Sequence, residues 1–105
     1  MKNAHALLGF IAVATIVGNP TAYAADIARG EELARRWCAT CHVVAADQQQ
    51  ATSEAPPFAT IARRPGFDVN RMAFFLLEPH PKMPSMSLSR SEAADIAAYI
   101  GSLAR

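Results

Sequence analysis

The sequence predicts an all-α domain, on three observations. No stretch alternates apolar and polar residues with a period of two. Apolar residues recur at helical spacing in segments that open on good N-cap residues, Asp26, Asp68 and Ser89. Prolines and glycines punctuate the intervals, at Pro56-Pro57, at Pro65-Gly66 and from Pro79 to Pro84.

From Asp26, the segment Ile27 to Cys38 reads as the first helix, with Ile27, Leu33, Ala34 and Trp37 near helical spacing and Glu31 and Glu32 towards its start. Gly30 is out of place there, because glycine is about 1 kcal/mol worse than alanine in a helix interior. Close packing against another helix is the expected reason. Residues 43–57 are polar and alanine-rich and end in two prolines, which predicts an irregular loop with Gln48-Gln49-Gln50 at its exposed tip. A short helical turn follows from Phe58 to Arg63, stopped by Pro65-Gly66. Asp68 caps the next helix, in which Val69, Met72, Ala73, Leu76 and Leu77 mark the apolar face until Pro79 ends it. His80 to Met86 reads as an extended, stiff loop. Ser89-Arg90-Ser91-Glu92 is a capping box that starts the last helix, with Ala93, Ile96, Ala97, Ile100 and Leu103 on one face and Gly101 weakening its end.

Ahead of these elements lies a leader. Met1-Lys2 is followed by an apolar run from Ala6 to Val17, too short for a stable membrane-crossing helix, then by Gly18-Asn19-Pro20 and the small-x-small site Ala22-Tyr23-Ala24. Residues 1–24 are therefore expected to be a cleaved signal peptide and residues 25–105 the mature domain, located in the periplasm with no stable membrane insertion. The mature chain has 81 residues, near the size at which apolar burial alone gives marginal stability. One of the ten basic residues, Lys2, lies in the leader, leaving nine basic against nine acidic groups. That balance gives no reason to expect nucleic-acid or anionic-lipid binding, and Arg35-Arg36 and Arg63-Arg64 read as solvated faces.

Both cysteines of the chain fall in Cys38-Ala39-Thr40-Cys41-His42. Two thiols three positions apart, followed at once by histidine, are the attachment pattern of a c-type haem: each thiol forms a thioether with one vinyl group, and the imidazole binds iron as the proximal ligand. One covalently attached haem c, with its iron, is the expected cofactor. It would also complete a core that no disulfide framework can reinforce.

The order of first helix, Cys-x-x-Cys-His, proline loop, middle helices, methionine loop and last helix resembles a small class I c-type cytochrome, over residues 26–104. The resemblance implies three to four helices wrapped around one haem, with Gly30 packed against the aromatic Tyr99 of the last helix. It also implies that the proximal histidine donates its second ring nitrogen to a proline carbonyl, for which Pro56 is the better match and Pro57 the competitor. The sixth ligand is expected from the loop before the last helix. Met83, in Lys82-Met83-Pro84, is favoured over Met86, which suits a packing role, as does Met72. His80 is a further candidate. Trp37 is expected to pack, with its indole N–H towards a haem propionate.

Other chemistries fit less of the chain. Trp37-Cys38-Ala39-Thr40-Cys41 is also similar to the active-site motif of thioredoxin-like thiol oxidoreductases, in which Cys38 would be a low-pKa nucleophile, but that fold needs a central sheet. Zinc held by Cys38, Cys41, His42 and His80 would require adjacent residues to share one tetrahedral ion. A gas sensor needs an open sixth position, which Met83 is placed to fill. The expected function is electron transfer without enzymatic chemistry, with redox proteins such as a dehydrogenase, a respiratory complex or an oxidase as partners, either as a shuttle or as the haem subunit of a complex.

Overall fold

A computed structural model of the chain describes residues 2, 6, 8–18, 24–51, 55–78 and 82–105. Four helices follow in order: α1 (Ile27–Trp37), α2 (Phe58–Ala62), α3 (Val69–Leu77) and α4 (Arg90–Ser102). The described residues form no strand. Each cap expected from the sequence is made. Asp26 accepts from Arg29 N–H, Asp68 accepts from Arg71 N–H, and Ser89 and Glu92 exchange both bonds of a capping box. The Ser89 backbone N–H is the main cause holding the Glu92 carboxyl below its usual range.

Helix α4 is the hub, packing against α1, α2 and α3 in turn. Its buried side chains are Ala93, Asp95, Ile96, Ala97, Tyr99 and Ile100, so the expected apolar face is joined by an acid and an aromatic. Complete burial of Ile96 and Ile100 contributes roughly 1.5–3 kcal/mol each. Among the described residues, four of the eleven buried apolar positions are alanine. The protein part of the core is thus thin, which fits a fold completed by a large apolar group.

Two apolar faces differ from the sequence expectation. On α1 the buried residues are Gly30, Leu33 and Ala34, whereas Ile27 and Trp37 are nearly half exposed. Only one side of α1 meets α4, and Trp37 is instead covered by the Arg36 guanidinium, 5.1 Å above its ring. On α3 no residue is fully buried; Met72 and Leu76 touch the core while Val69 and Leu77 remain more than a third exposed. Residues 8–18 lie outside the core, with Leu8, Phe10, Ile11 and Ile16 exposed. Among the described residues no helix is long and apolar enough to cross a membrane.

The α1–α4 crossing depends on Gly30. A Cβ built there would lie 2.0 Å from the Asp95 carbonyl oxygen and 2.9 Å from Tyr99 Cβ. Alanine would recover up to about 1 kcal/mol of helix propensity. The obstacle is backbone, however, and cannot rotate aside. Gly30→Ala is therefore expected to destabilise the holoprotein by about 3 kcal/mol or more in guanidinium unfolding, and a loss below about 1 kcal/mol would show that the crossing can open freely.

Candidate haem site

Helix α1 ends where the motif begins. Cys38 is its C-cap, donating N–H to Ala34 O, and the chain turns so that Cys41 N–H and His42 N–H both reach back to Cys38 O, at 3.2 and 2.9 Å. The turn brings the two sulfur-bearing residues and the histidine into one short segment. Cys38 is buried against the core, Cys41 is exposed, and both are free thiols standing in for the thioether sulfurs of the attached form.

His42 is 8% exposed, and its Nδ1–H donates to Pro56 O at 2.6 Å. That bond fixes the tautomer, leaving the Nε2 lone pair for a metal and making it a stronger donor. Phe58 backs the imidazole at 5.2 Å between ring centroids, and Phe58 N–H donates to Val43 O at 3.0 Å, which ties the start of α2 to the histidine segment. Pro56 is half-buried and Pro57 exposed. Two adjacent thiols and one oriented imidazole form a donor set that fits a covalently bound haem.

In the loop before α4, Met83 and Met86 are both half-buried and border a cavity of about 150 Å³ with Leu76, Leu77, Glu78 and Leu88. Met86 also packs on the hydrophobic core. Ser87 adopts the left-handed conformation, with φ of 51°, between this loop and the N-cap of α4. His80 and its flanking Pro79 and Pro81 lie outside the described residues.

One residue was misread from the sequence. Gln48, expected at an exposed loop tip, is half-buried and clamps the segment that carries His42. Its Oε1 accepts Val44 N–H at 2.8 Å, while Nε2 donates to Ala39 O, His42 O and Gln50 O at 2.8–3.0 Å. Nothing periodic marks such a residue; the signal was a glutamine six positions after the histidine, long enough to reach back over the turn. Tyr99 completes the clamp from α4, its hydroxyl donating to Val44 O at 2.6 Å, and burial raises its pKa. At the surface Arg35 bridges Glu31 and Asp47, which pins the same loop to α1 and, through the Arg35 hydrogen bond, holds the Asp47 carboxyl below its ordinary range.

The thiol-enzyme alternative is not supported. Burial, with a smaller contribution from Cys41, pushes the Cys38 thiol up to about 11, the opposite of what an attacking thiolate needs. No sheet is present among the described residues, and no three His, Cys, Asp or Glu side chains among them gather as metal ligands.

An all-helical domain carrying Cys38, Cys41 and a carbonyl-oriented His42 defines a monohaem class I c-type cytochrome, an electron carrier with one covalently bound haem c and its iron. Residues 25–100 match the family described as cytochrome c oxidase, cbb3-type, subunit III, and the chain belongs to that family. It is 57% identical over 93 residues to cytochrome c-552 of Bradyrhizobium diazoefficiens, covering 89% of each chain. No solved structure matches the chain.

Because the two N–H groups of Gln48 are shared among three carbonyls and its oxygen accepts from one buried amide, Gln48→Ala is expected to cost about 2 kcal/mol. Gln48→Glu keeps the acceptor but turns a charge on the three carbonyls, so guanidinium unfolding is expected to place it at or below the alanine variant. A glutamate variant as stable as the wild type would remove the clamp from this account.

Proposed function

We propose that this chain is a periplasmic one-electron carrier, not an enzyme, in which Cys38 and Cys41 anchor the haem, His42 and Met83 take the two axial positions, and residues 1–24 are a removed leader. The observation that carries the reading is the His42 Nδ1–H bond to Pro56 O, which spends one ring nitrogen on orientation and leaves the other for the iron.

Bound haem supplies the one-electron exchange between ferrous and ferric iron. The chain's residues would hold that centre in place. His42 is fixed by Pro56, Phe58 and the Gln48 clamp, so its imidazole does not need to move between oxidation states. With His42 and Met83 both donating to the iron, no position would be left on the metal for a substrate, which favours carrying electrons over transforming a ligand. Met83, in Lys82-Met83-Pro84, is the preferred sixth ligand because Met86, which borders the same cavity, also packs on the core. A neutral thioether favours the ferrous state and raises the reduction potential.

Export is supported by the basic start, the short apolar run and the small-x-small site, and by a family match that begins at residue 25. The partners are other redox proteins, met transiently at the haem edge beside the methionine loop. The family description names an oxidase subunit, and the relative in Bradyrhizobium is named as a cytochrome. A dehydrogenase or respiratory complex on one side and an oxidase on the other are the expected exchange classes, with the chain acting as shuttle or as haem subunit.

Purified protein should keep its red colour through acid–acetone extraction and show the mass of residues 25–105 plus one haem; a colourless protein with a reversible Cys38–Cys41 disulfide would refute covalent haem. Met83→Ala is expected to abolish the weak sulfur-to-iron band at the red edge of the ferric spectrum, lower the potential and admit carbon monoxide, while Met86→Ala leaves all three nearly intact. Loss of the band in Met86→Ala alone would transfer the ligand role to Met86, and a spectrum altered only by His80→Ala would make the site bis-histidine.

A further inference from the structure

Asp95 is a buried acid that the haem site does not use. It is 1% exposed and faces the start of α1 from α4, and its two oxygens are in different situations. Oδ1 accepts Asp26 N–H at 2.7 Å. Oδ2 has no hydrogen-bond partner among the described residues, and Arg29 Nε lies 3.7 Å away on a side chain that is half exposed. A buried carboxylate is costly unless donors or opposite charge satisfy both oxygens.

We propose that Asp95 is a built-in receptor for the α-ammonium group of Ala25, so that leader removal completes the α1–α4 junction. This rests on the cleavage between Ala24 and Ala25 put forward above. The Ala25 nitrogen is one residue upstream of the N–H already bound to Oδ1, so cleavage creates the new group beside this carboxylate. Hydrolysis adds water across the Ala24–Ala25 bond, leaving a carboxylate on Ala24 and an amine on Ala25 that takes up a proton. One neutral N–H thereby becomes a cation with three donors.

The charges around this point favour a cation. Helix α1 presents the Asp26 carboxylate and Arg29, and α4 presents Glu92 and Asp95. The Arg29 guanidinium is shared between Asp95 and Glu92, with Nη2 at 3.8 Å from Glu92, while the Asp26 carboxylate accepts the Arg29 backbone N–H; Arg36, on the same helix, also acts on Glu92. The positive end of the α1 dipole opposes an ammonium, but the Asp26 cap lies between them. A paired amine has its folded pKa raised above the unfolded value of roughly 7.7–8.0. Its stabilisation is complete below the unfolded value and is lost as pH rises through the folded one. The uncleaved chain carries only an amide at this position, so full stability comes after processing.

The test uses holoprotein with a removable N-terminal tag whose excision leaves Ala25 first. Tag removal at about pH 6 is expected to raise the melting temperature by roughly 4–8 °C, the rise expected of about one kcal/mol in a domain of this size. The rise should fade as pH climbs above about 9 and be absent in Asp95→Asn, whose amide oxygen can still accept Asp26 N–H. The Ala25 amine, followed by nuclear magnetic resonance after isotopic methylation, should titrate above the ordinary range in the wild type. An unchanged melting temperature on tag removal, an equal rise in Asp95→Asn, or an amine titrating at or below the ordinary range would each overturn the pairing. The mass of the naturally exported protein tests cleavage separately: a chain starting elsewhere than Ala25 would overturn the leader boundary, and with it the natural pairing, whatever the tag-cut protein does.

Discussion

The close approach of α1 to α4 at Gly30 is the constraint on which the rest of the molecule depends. With no side chain at that position, the α1 backbone rests on the Asp95 carbonyl and the Tyr99 Cβ. This contact sets the direction in which α1 delivers Cys38, and from Cys38 the turn that delivers Cys41 and His42 follows by local hydrogen bonds. The same crossing brings Tyr99 within reach of Val44 O, so the helix that receives α1 also holds the loop that leaves it. A helix-weakening residue is tolerated because the geometry it permits is worth more than the propensity it loses.

The cofactor segment is held by groups that are mostly not apolar. Pro56 O orients the imidazole, Gln48 ties three carbonyls and an amide, and Tyr99 adds a fourth carbonyl. Loops have no ladder of their own to satisfy their backbone, so a long amide side chain supplies the partners that a helix would have provided. In a domain whose protein core is rich in alanine, such polar clamping fixes the proximal side without demanding volume. A bound haem would supply the missing volume and, through thioethers at Cys38 and Cys41, would cross-link the end of α1 to the turn that follows it.

The methionine side is built differently. Helix α3 lays Met72 and Leu76 on the core and leaves Phe74 largely exposed, and the loop after it borders a cavity with Met83 and Met86. Met86, next to a left-handed Ser87, packs the end of this loop on the core. Both methionines border that cavity, and Met86 also packs on the core, so two chemically identical side chains differ in what surrounds them.

Much was legible in the linear sequence because it depends on local chemistry. Caps at Asp26, Asp68 and Ser89 satisfy their own helix ends within three residues, proline stops act on the next residue, and Cys-x-x-Cys-His needs only one turn to align its groups. These fixed the helix order, the all-α class and the haem family. What the tertiary structure alone decided is long-range: which side of α1 and α3 is covered, why Ile27 and Trp37 stay in solvent, and why Asp95 is buried beside Asp26, 69 positions away. Gln48 belongs with these. Its role depends on a loop folding back over the turn it follows, and no periodicity records that, because the hydrogen bonds a glutamine makes are set by the path of the chain around it and not by its spacing along it.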